Sequence, residues 1–252
     1  MTSIDIQWKQ LLWDCYRHGR THKKDDSAIR ELLGNYIFIE RPQDIGLPFN
    51  KKIDNPDEFL YYIKKGFYNI EGYPLKNDAL HDYVTTFHND SQVYCSDKEV
   101  LESLHIEESP FVYTYPERLL HSLYNTTDET IRPDINYINQ IEIIKSRLKN
   151  NLGSNRAVAT LYHPGLDGDR IDIPCLNWLQ ATVRENQLEL HCIFRSNDLY
   201  GAWPANMYLL TYLGLQIAEN IEKDIIFNGI HYHSSSLHIY KTDLPAVKEI
   251  LR

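Results

Sequence analysis

The residues able to do chemistry fall in three short stretches: Pro174-Cys175, the run from Arg195 to Asn206, and His238-Ile239-Tyr240. A cysteine attacks as its thiolate, so Cys175 needs a cation nearby. Arg195 follows it one predicted hairpin later, which brings the two to the same end of paired strands. The competing reading of Cys175 is a small buried apolar side chain. Arg195-Ser196 joins a planar fork of donors to a hydroxyl, which suits a phosphate or an ordinary salt bridge at a hairpin end. Asn206 carries a donor and an acceptor on one planar amide. It can read the N3–H and O4 edge of a uracil ring, or cap a helix. His238 and Tyr240 lie two apart on a predicted strand and share a face. They can meet a sugar hydroxyl or form a half-buried aromatic pair. Together these stretches suit a pyrimidine nucleotide site with Cys175 as its nucleophile, while residue by residue the structural readings stay open. A metal is not expected, because His231, His233 and His238 have no acidic or cysteine ligand at typical spacing.

The surrounding elements must position these groups. Residues 4–18 place Ile6, Trp8, Leu11, Leu12 and Tyr16 at helical spacing and stop at Gly19. Arg20 to Asp26 reads as a charged loop, and Arg30 to Glu40 as a strand before Pro42. Three prolines make 42–56 a loop, and Asn55-Pro56 opens a helix that ends at Gly66. Asp78–Phe87, Asp97–Leu104 and Tyr115–Tyr124 read as helices, and Thr126–Pro133 as a polar loop. Ile135–Leu148 is an amphipathic helix with Ile138, Ile141, Ile144 and Leu148 on one side. Arg156–Tyr162 alternates as a strand. Leu176–Val183 and Leu188–Phe194 form a hairpin. Met207–Asn220 is apolar on most sides and is expected to be the central buried helix. Two short strands, Ile225–Tyr232 and Ser235–Tyr240, precede a closing helix from Leu244. Interspersed strands and helices with an antiparallel hairpin favour an α+β fold. No composition break divides residues 1–252, so one domain is expected.

The totals narrow the function classes. A net charge of −9 opposes binding to a nucleic acid polymer, which wants a basic surface. It permits a nucleotide, since one phosphate needs only a few local arginines. The 4 cysteines are scattered with no CxxC pair, against a zinc or dithiol motif. No signal peptide opens the chain and no apolar run approaches a membrane span, so a reducing cytoplasm is the expected location.

Taken in order, Asn155-Arg156, Pro174-Cys175, Arg195-Ser196-Asn197-Asp198, Pro204-Ala205-Asn206 and His238-Ile239-Tyr240 resemble the thymidylate synthase family, best over residues 137–243. The resemblance implies an α+β fold assembled as a sheet-to-sheet homodimer. It implies conversion of dUMP to dTMP with 5,10-methylenetetrahydrofolate as co-substrate. By position, Cys175 attacks C6 of the base. Arg195 and Ser196 hold the phosphate, and Arg195 also steadies the thiolate. Arg156 reaches the phosphate from the other subunit. Asp198 contacts the pterin, Asn206 reads the uracil edge, and His238 with Tyr240 bonds the deoxyribose hydroxyl. Glu58 matches the glutamate that orders water for the C5 proton step, and Tyr115 the tyrosine near the nucleophile.

The chain also departs from the family pattern. Leu176 follows the cysteine where histidine is usual. Asn155 replaces one arginine of the phosphate grip, and Arg20 and Arg30 are the substitutes available for the N-terminal phosphate loop. Tyr200-Gly201-Ala202-Trp203 replaces a glycine-rich turn, with Trp203 placed to reshape the folate side. The segment after Tyr240 is short, as in short archaeal-type relatives and some nucleotide hydroxymethylases. Two further readings follow: a pyrimidine nucleotide 5-hydroxymethylase, and a catalytically weak nucleotide-binding regulatory dimer.

Overall fold

A single open mixed sheet organises the chain, and its longest strand is Ile226–Tyr240. The computed structural model describes residues 4–24, 27–42, 115–120, 122–123, 137–222 and 224–252. In chain order these are α1 (Ile4–His18), β1 (Arg20–Lys24), β2 (Ser27–Glu40), α2 (Tyr115–Leu120), β3 (Ser122–Leu123), β4 (Tyr137–Ile138), α3 (Gln140–Asn150), β5 (Val158–Thr160) and α4 (Pro164–Asp167). There follow β6 (Leu176–Arg184), β7 (Gln187–Phe194), β8 (Asn197–Asp198), α5 (Trp203–Ile221), β9 (Ile226–Tyr240) and α6 (Leu244–Ile250). The sheet runs β1-β2-β9-β7-β6-β5, with β8 continuing beside β9. The β7·β9 and β8·β9 pairs are parallel. The β1·β2, β2·β9, β5·β6 and β6·β7 pairs are antiparallel. The fold is therefore mixed α/β, and β3 pairs with β4 apart from the main sheet.

Alternation along β7 shows how the sheet divides its faces. Leu188, Leu190, Cys192 and Phe194 are buried, while Glu189 and His191 are half-buried and Ile193 is exposed. The buried set meets α5, while α1 packs against β2 and β9 and α3 against β5 and β6. Helix α5 contributes Met207, Leu209, Leu210, Leu213 and Ile217, all buried. Gly214 is required where α5 crosses β9, because a Cβ there would stand 2.3 Å from the Phe227 ring. On the opposite face Leu33 and Tyr36 are 65% and 62% exposed, a cluster of apolar surface with no helix over it among the described residues.

The hairpin β6–β7 forms as expected. Glu185 and Asn186 have φ of 50° and 60°, the left-handed pair of a two-residue turn whose twist matches the strands. Several boundaries differ from sequence expectation. Arg20–Lys24 is an edge strand, not a loop, because Arg20 to Lys24 register against β2 from Glu31 to Ser27 and His22 bonds Glu31 at 2.8 Å. Its charged residues suit an exposed edge. The two strands expected in 225–240 are one. Ser234 Oγ donates to the Ser236 carbonyl and Ser236 Oγ to Glu31, so the serine run is satisfied within the sheet. The helix expected from Ile135 starts at Gln140, where Asn139 caps it by accepting from the Glu142 N–H at 3.0 Å. Helix α2 is shorter than expected, and β5 is confined to Val158–Thr160. The expected loop at 43–56, the helices of 55–65, 78–87 and 97–104, the loop at 126–133 and Glu58 lie outside the described residues.

Candidate nucleotide site

Cys175 immediately precedes β6, beside an irregularity where Asn177 has no partner in the β7 register. A bulge of this kind re-aims side chains next to functional sites. Three contacts pin it. The Arg195 N–H donates to the Cys175 carbonyl at 2.8 Å, Asn177 Nδ2 to the Pro174 carbonyl at 2.8 Å, and Leu161 N–H to the Asn177 carbonyl at 2.9 Å. The expected meeting of Cys175 and Arg195 at one strand end is therefore present.

Arg195 serves the backbone that carries the thiol. Its Nε donates to Pro174 O at 3.1 Å, Nη2 to Ile173 O at 2.6 Å and Nη1 to Ser196 Oγ at 3.1 Å. Those bonds use three of the five N–H donors of a guanidinium, so the fork still has N–H groups to offer an anion. Ser196 Oγ lies 3.7 Å from Cys175 Sγ, linking thiol, hydroxyl and guanidinium in one chain of contacts. Of the described cysteines, Cys175 is the half-exposed one. Burial pushes the Cys15 thiol up to about 12, with Arg30 opposing, and raises Cys192 further. Both buried thiols are held protonated.

Asn206 does not cap α5. Ala202 occupies the cap position, and the Asn206 N–H donates to the Ala202 carbonyl at 3.0 Å. The side chain is thus freed from capping, is 5% exposed, and donates from Nδ2 to Asn197 Oδ1 at 3.2 Å. Asn197 is buried, its side chain interacting with Tyr232 as well as with Asn206. Tyr232 lies close by, its phenol raised by burial, with Ser234 and Asn197 pulling it back and the Cys175 and Cys192 thiols adding to the rise. Sequence reasoning missed Asn197 and Tyr232. Tyr232 sits in an alternating strand, where an aromatic signals only core.

Asp198 closes a turn with its own side chain. Oδ1 accepts from the N–H groups of Tyr200 and Gly201, each at 3.1 Å. A Cβ at Gly201 would stand 2.5 Å from Asp198 Oδ2, so any larger residue there would push the carboxylate out of its turn. Trp8 of α1 fixes the next residue, its Nε1 donating to Leu199 O at 2.7 Å. Trp203 departs from expectation: it is fully buried and meets Tyr232 edge-on, with centroids 6.1 Å apart. It is a core side chain rather than a wall of an open pocket.

His238 lies opposite Asp198 in the β8·β9 pairing, and its carbonyl accepts from Leu199 N–H at 2.7 Å. Its ring meets Tyr240 edge-on at 5.2 Å, so the two share a face. Tyr115 is adjacent to the thiol segment: its hydroxyl oxygen accepts from Leu176 N–H at 3.2 Å. It also lines a small pocket with Leu119, Leu176, Asn206 and Leu210. Arg156 is not brought to this cluster. It is exposed, and the β5·β6 register places it across from Thr182, roughly 20 Å along β6 from Cys175. Arg30 bonds the Arg17 carbonyl and covers the Tyr16 ring at 5.9 Å, while Arg20 is exposed on β1.

The thymidylate synthase family profile matches residues 99–252. The chain belongs to that family. It is 27% identical, over 97% of its length and 94% of the relative's, to a protein of Methanothermobacter thermautotrophicus named "Putative thymidylate synthase". Proteins of the same name from Methanosarcina mazei and Methanosarcina acetivorans are each 30% identical, over 99% of this chain and 92% of theirs. No helix among the described residues is long and apolar enough to cross a membrane.

Proposed function

We propose that the protein transfers a one-carbon unit to C5 of a uracil nucleotide, converting dUMP to dTMP with methylenetetrahydrofolate. The observation that carries this reading is Cys175. It is a half-exposed thiol at an irregular strand start, joined through Ser196 to an arginine that still has N–H donors for an anion.

In this reading the Cys175 thiolate adds to C6 of the pyrimidine, and the electron pair moves to C5. Arg195 and Ser196 take the phosphate. The Asn206 bond to Asn197 fixes its amide, leaving its oxygen to accept from uracil N3–H and its second N–H to meet O4. His238 and Tyr240 take the deoxyribose hydroxyl. The folate supplies the methylene carbon and then the hydride. The half-exposed Asp198 carboxylate, held rigid by its own turn, fits an acceptor for the N–H groups of the pterin. Tyr115, beside Leu176, and Glu58 serve removal of the C5 proton. Elimination of Cys175 then releases the product.

The uncovered sheet face pairs back to back with a second copy, leaving α5 as the central helix of each core. Arg156, far from its own Cys175, then reaches the partner's phosphate. The test is incubation with dUMP, UMP, dCMP and CMP, each with methylenetetrahydrofolate, with products identified by mass. A methyl product with dihydrofolate supports the proposal, and a hydroxymethyl product replaces it. No turnover and no release of C5 tritium from any nucleotide would leave a binding dimer.

A further inference from the structure

On the sheet face away from the helices, the face that the dimer of the proposed function would cover, strand pairing assembles a group that sequence spacing hides. Glu189 and His191 are two apart on β7 and so share a face. His191 is in register with His231 on the parallel strand β9. Their donor atoms lie within 4.8 Å of one another, and all three residues are half-buried. The imidazoles stack with centroids 4.3 Å apart and planes 4° from parallel. His231 Nε2 is 2.8 Å from Glu189 Oε2.

We propose that Glu189, His191 and His231 form a binding site for one divalent transition ion of the zinc class. Two imidazoles and one carboxylate are a donor set suited to Zn2+ or Co2+, with a remaining position for water. Ligand bonds of about 2.0–2.2 Å need donors roughly 3.4 Å apart, so the group closes by about an ångström and the parallel rings turn to converge. Rotation about the histidine Cβ–Cγ bond is broad and permits this.

The outer shell is already built. Tyr36 Oη holds His231 Nδ1 at 2.6 Å, and Asn228 Nδ2 donates to Glu189 Oε1 at 2.7 Å. In both residues the polar atom turned away from the group is thereby fixed, as in metal sites whose ligands are oriented from behind. Thr182 Oγ1 is 3.0 Å from His191 Nε2, a contact that changes as that ring turns. Phe38 stacks on His231 at 4.4 Å and bounds the site on the β2 side. The protonation states agree. Burial, then His231, lowers His191 against the pull of Glu189, so it is neutral near pH 7. Burial alone would raise the Glu189 carboxyl, but bonds to His231 and Asn228 hold it below its ordinary value. The ion would tie β7 to β9, the two strands leading to Arg195 and His238, without entering the candidate nucleotide site.

The test is titration of the full chain with Co2+, followed by visible absorption, with Zn2+ as competitor. Saturable bands reaching one equivalent per chain, without the intense thiolate charge transfer of a cysteine ligand, are expected. Glu189→Gln and His191→Gln should weaken binding at least about tenfold, and Tyr36→Phe by about tenfold. Circular dichroism checks the fold of every variant and gel filtration its oligomeric state, since the dimer of the proposed function would cover Tyr36. His22→Gln, altering a different histidine–glutamate pair, should leave binding unchanged. No saturable binding, a thiolate signature, or equal affinity in the Glu189 and His191 variants would each overturn the proposal.

Discussion

Replacing Arg195 with lysine separates the two things this residue does. The substitution keeps a positive charge beside Ser196 and Cys175 but removes the planar fork. Arginine donates to Ile173 O at 2.6 Å and Pro174 O at 3.1 Å at the same time as to Ser196 Oγ. One ammonium cannot satisfy both carbonyls and also meet a phosphate bidentately. A charge-assisted hydrogen bond contributes about 1.5–3 kcal/mol. The site is half-buried and water can replace part of each bond, so the lower figure applies. Two lost carbonyl bonds then weaken the hold on residues 173–175 by about 3 kcal/mol, a fall in kcat/KM of roughly a hundredfold. The measurement is kcat/KM for dUMP by C5 tritium release, beside a thermal unfolding curve. Arg195→Met, with neither charge nor donors, should fall further. If the lysine variant stays within about fivefold of the parent while the methionine variant is inactive, charge alone suffices and the loop-holding argument fails.

Cys175→Ser should form no covalent adduct with a 5-fluoropyrimidine deoxynucleotide, as read by intact mass; a surviving adduct removes Cys175 from its role. Asn206→Asp should move base preference from uracil towards cytosine, and unchanged selectivity in competition assays would refute edge reading. Asp167→Ala removes the carboxylate that meets Arg118 Nη2 at 2.7 Å in the core. A lost partner in a buried pair costs about 3–5 kcal/mol, and a denaturant midpoint within error of the parent would contradict it. Burial and then His231 lower His191 from its ordinary value of 6.5. The unfolded chain therefore takes up a proton first, and stability falls as pH drops from 6.5 through the folded value. His191→Gln should flatten that limb of a stability–pH profile, and an unchanged slope would show that other groups set it.

Local signals were enough for some of this architecture. Ile4–His18 and the β6–β7 hairpin were legible because their apolar periods are regular and their stops, Gly19 and Glu185-Asn186, are local. The pairing of Cys175 with Arg195 followed from the hairpin alone. The charged run Arg20–Lys24 carries no apolar period, and the serines of β9 look like a break. Both became strands because β2 supplied partners for their backbone groups. Asn206 looked like a cap, since helix starts are judged from one residue and its neighbours. The helix begins earlier, at Trp203, and the amide meets Asn197 instead.

By itself, the order of the motifs in the sequence determined the family and the residues to examine, because each motif is contiguous and its chemistry belongs to its side chains. Tertiary structure decided which groups meet. The three bonds from Arg195 to the backbone and serine around Cys175, the Asn197–Asn206 contact and the Glu189–His191–His231 group all depend on register between strands far apart in the chain. A parallel pairing places His191 beside His231 across 40 positions of sequence, and no local pattern carries that distance.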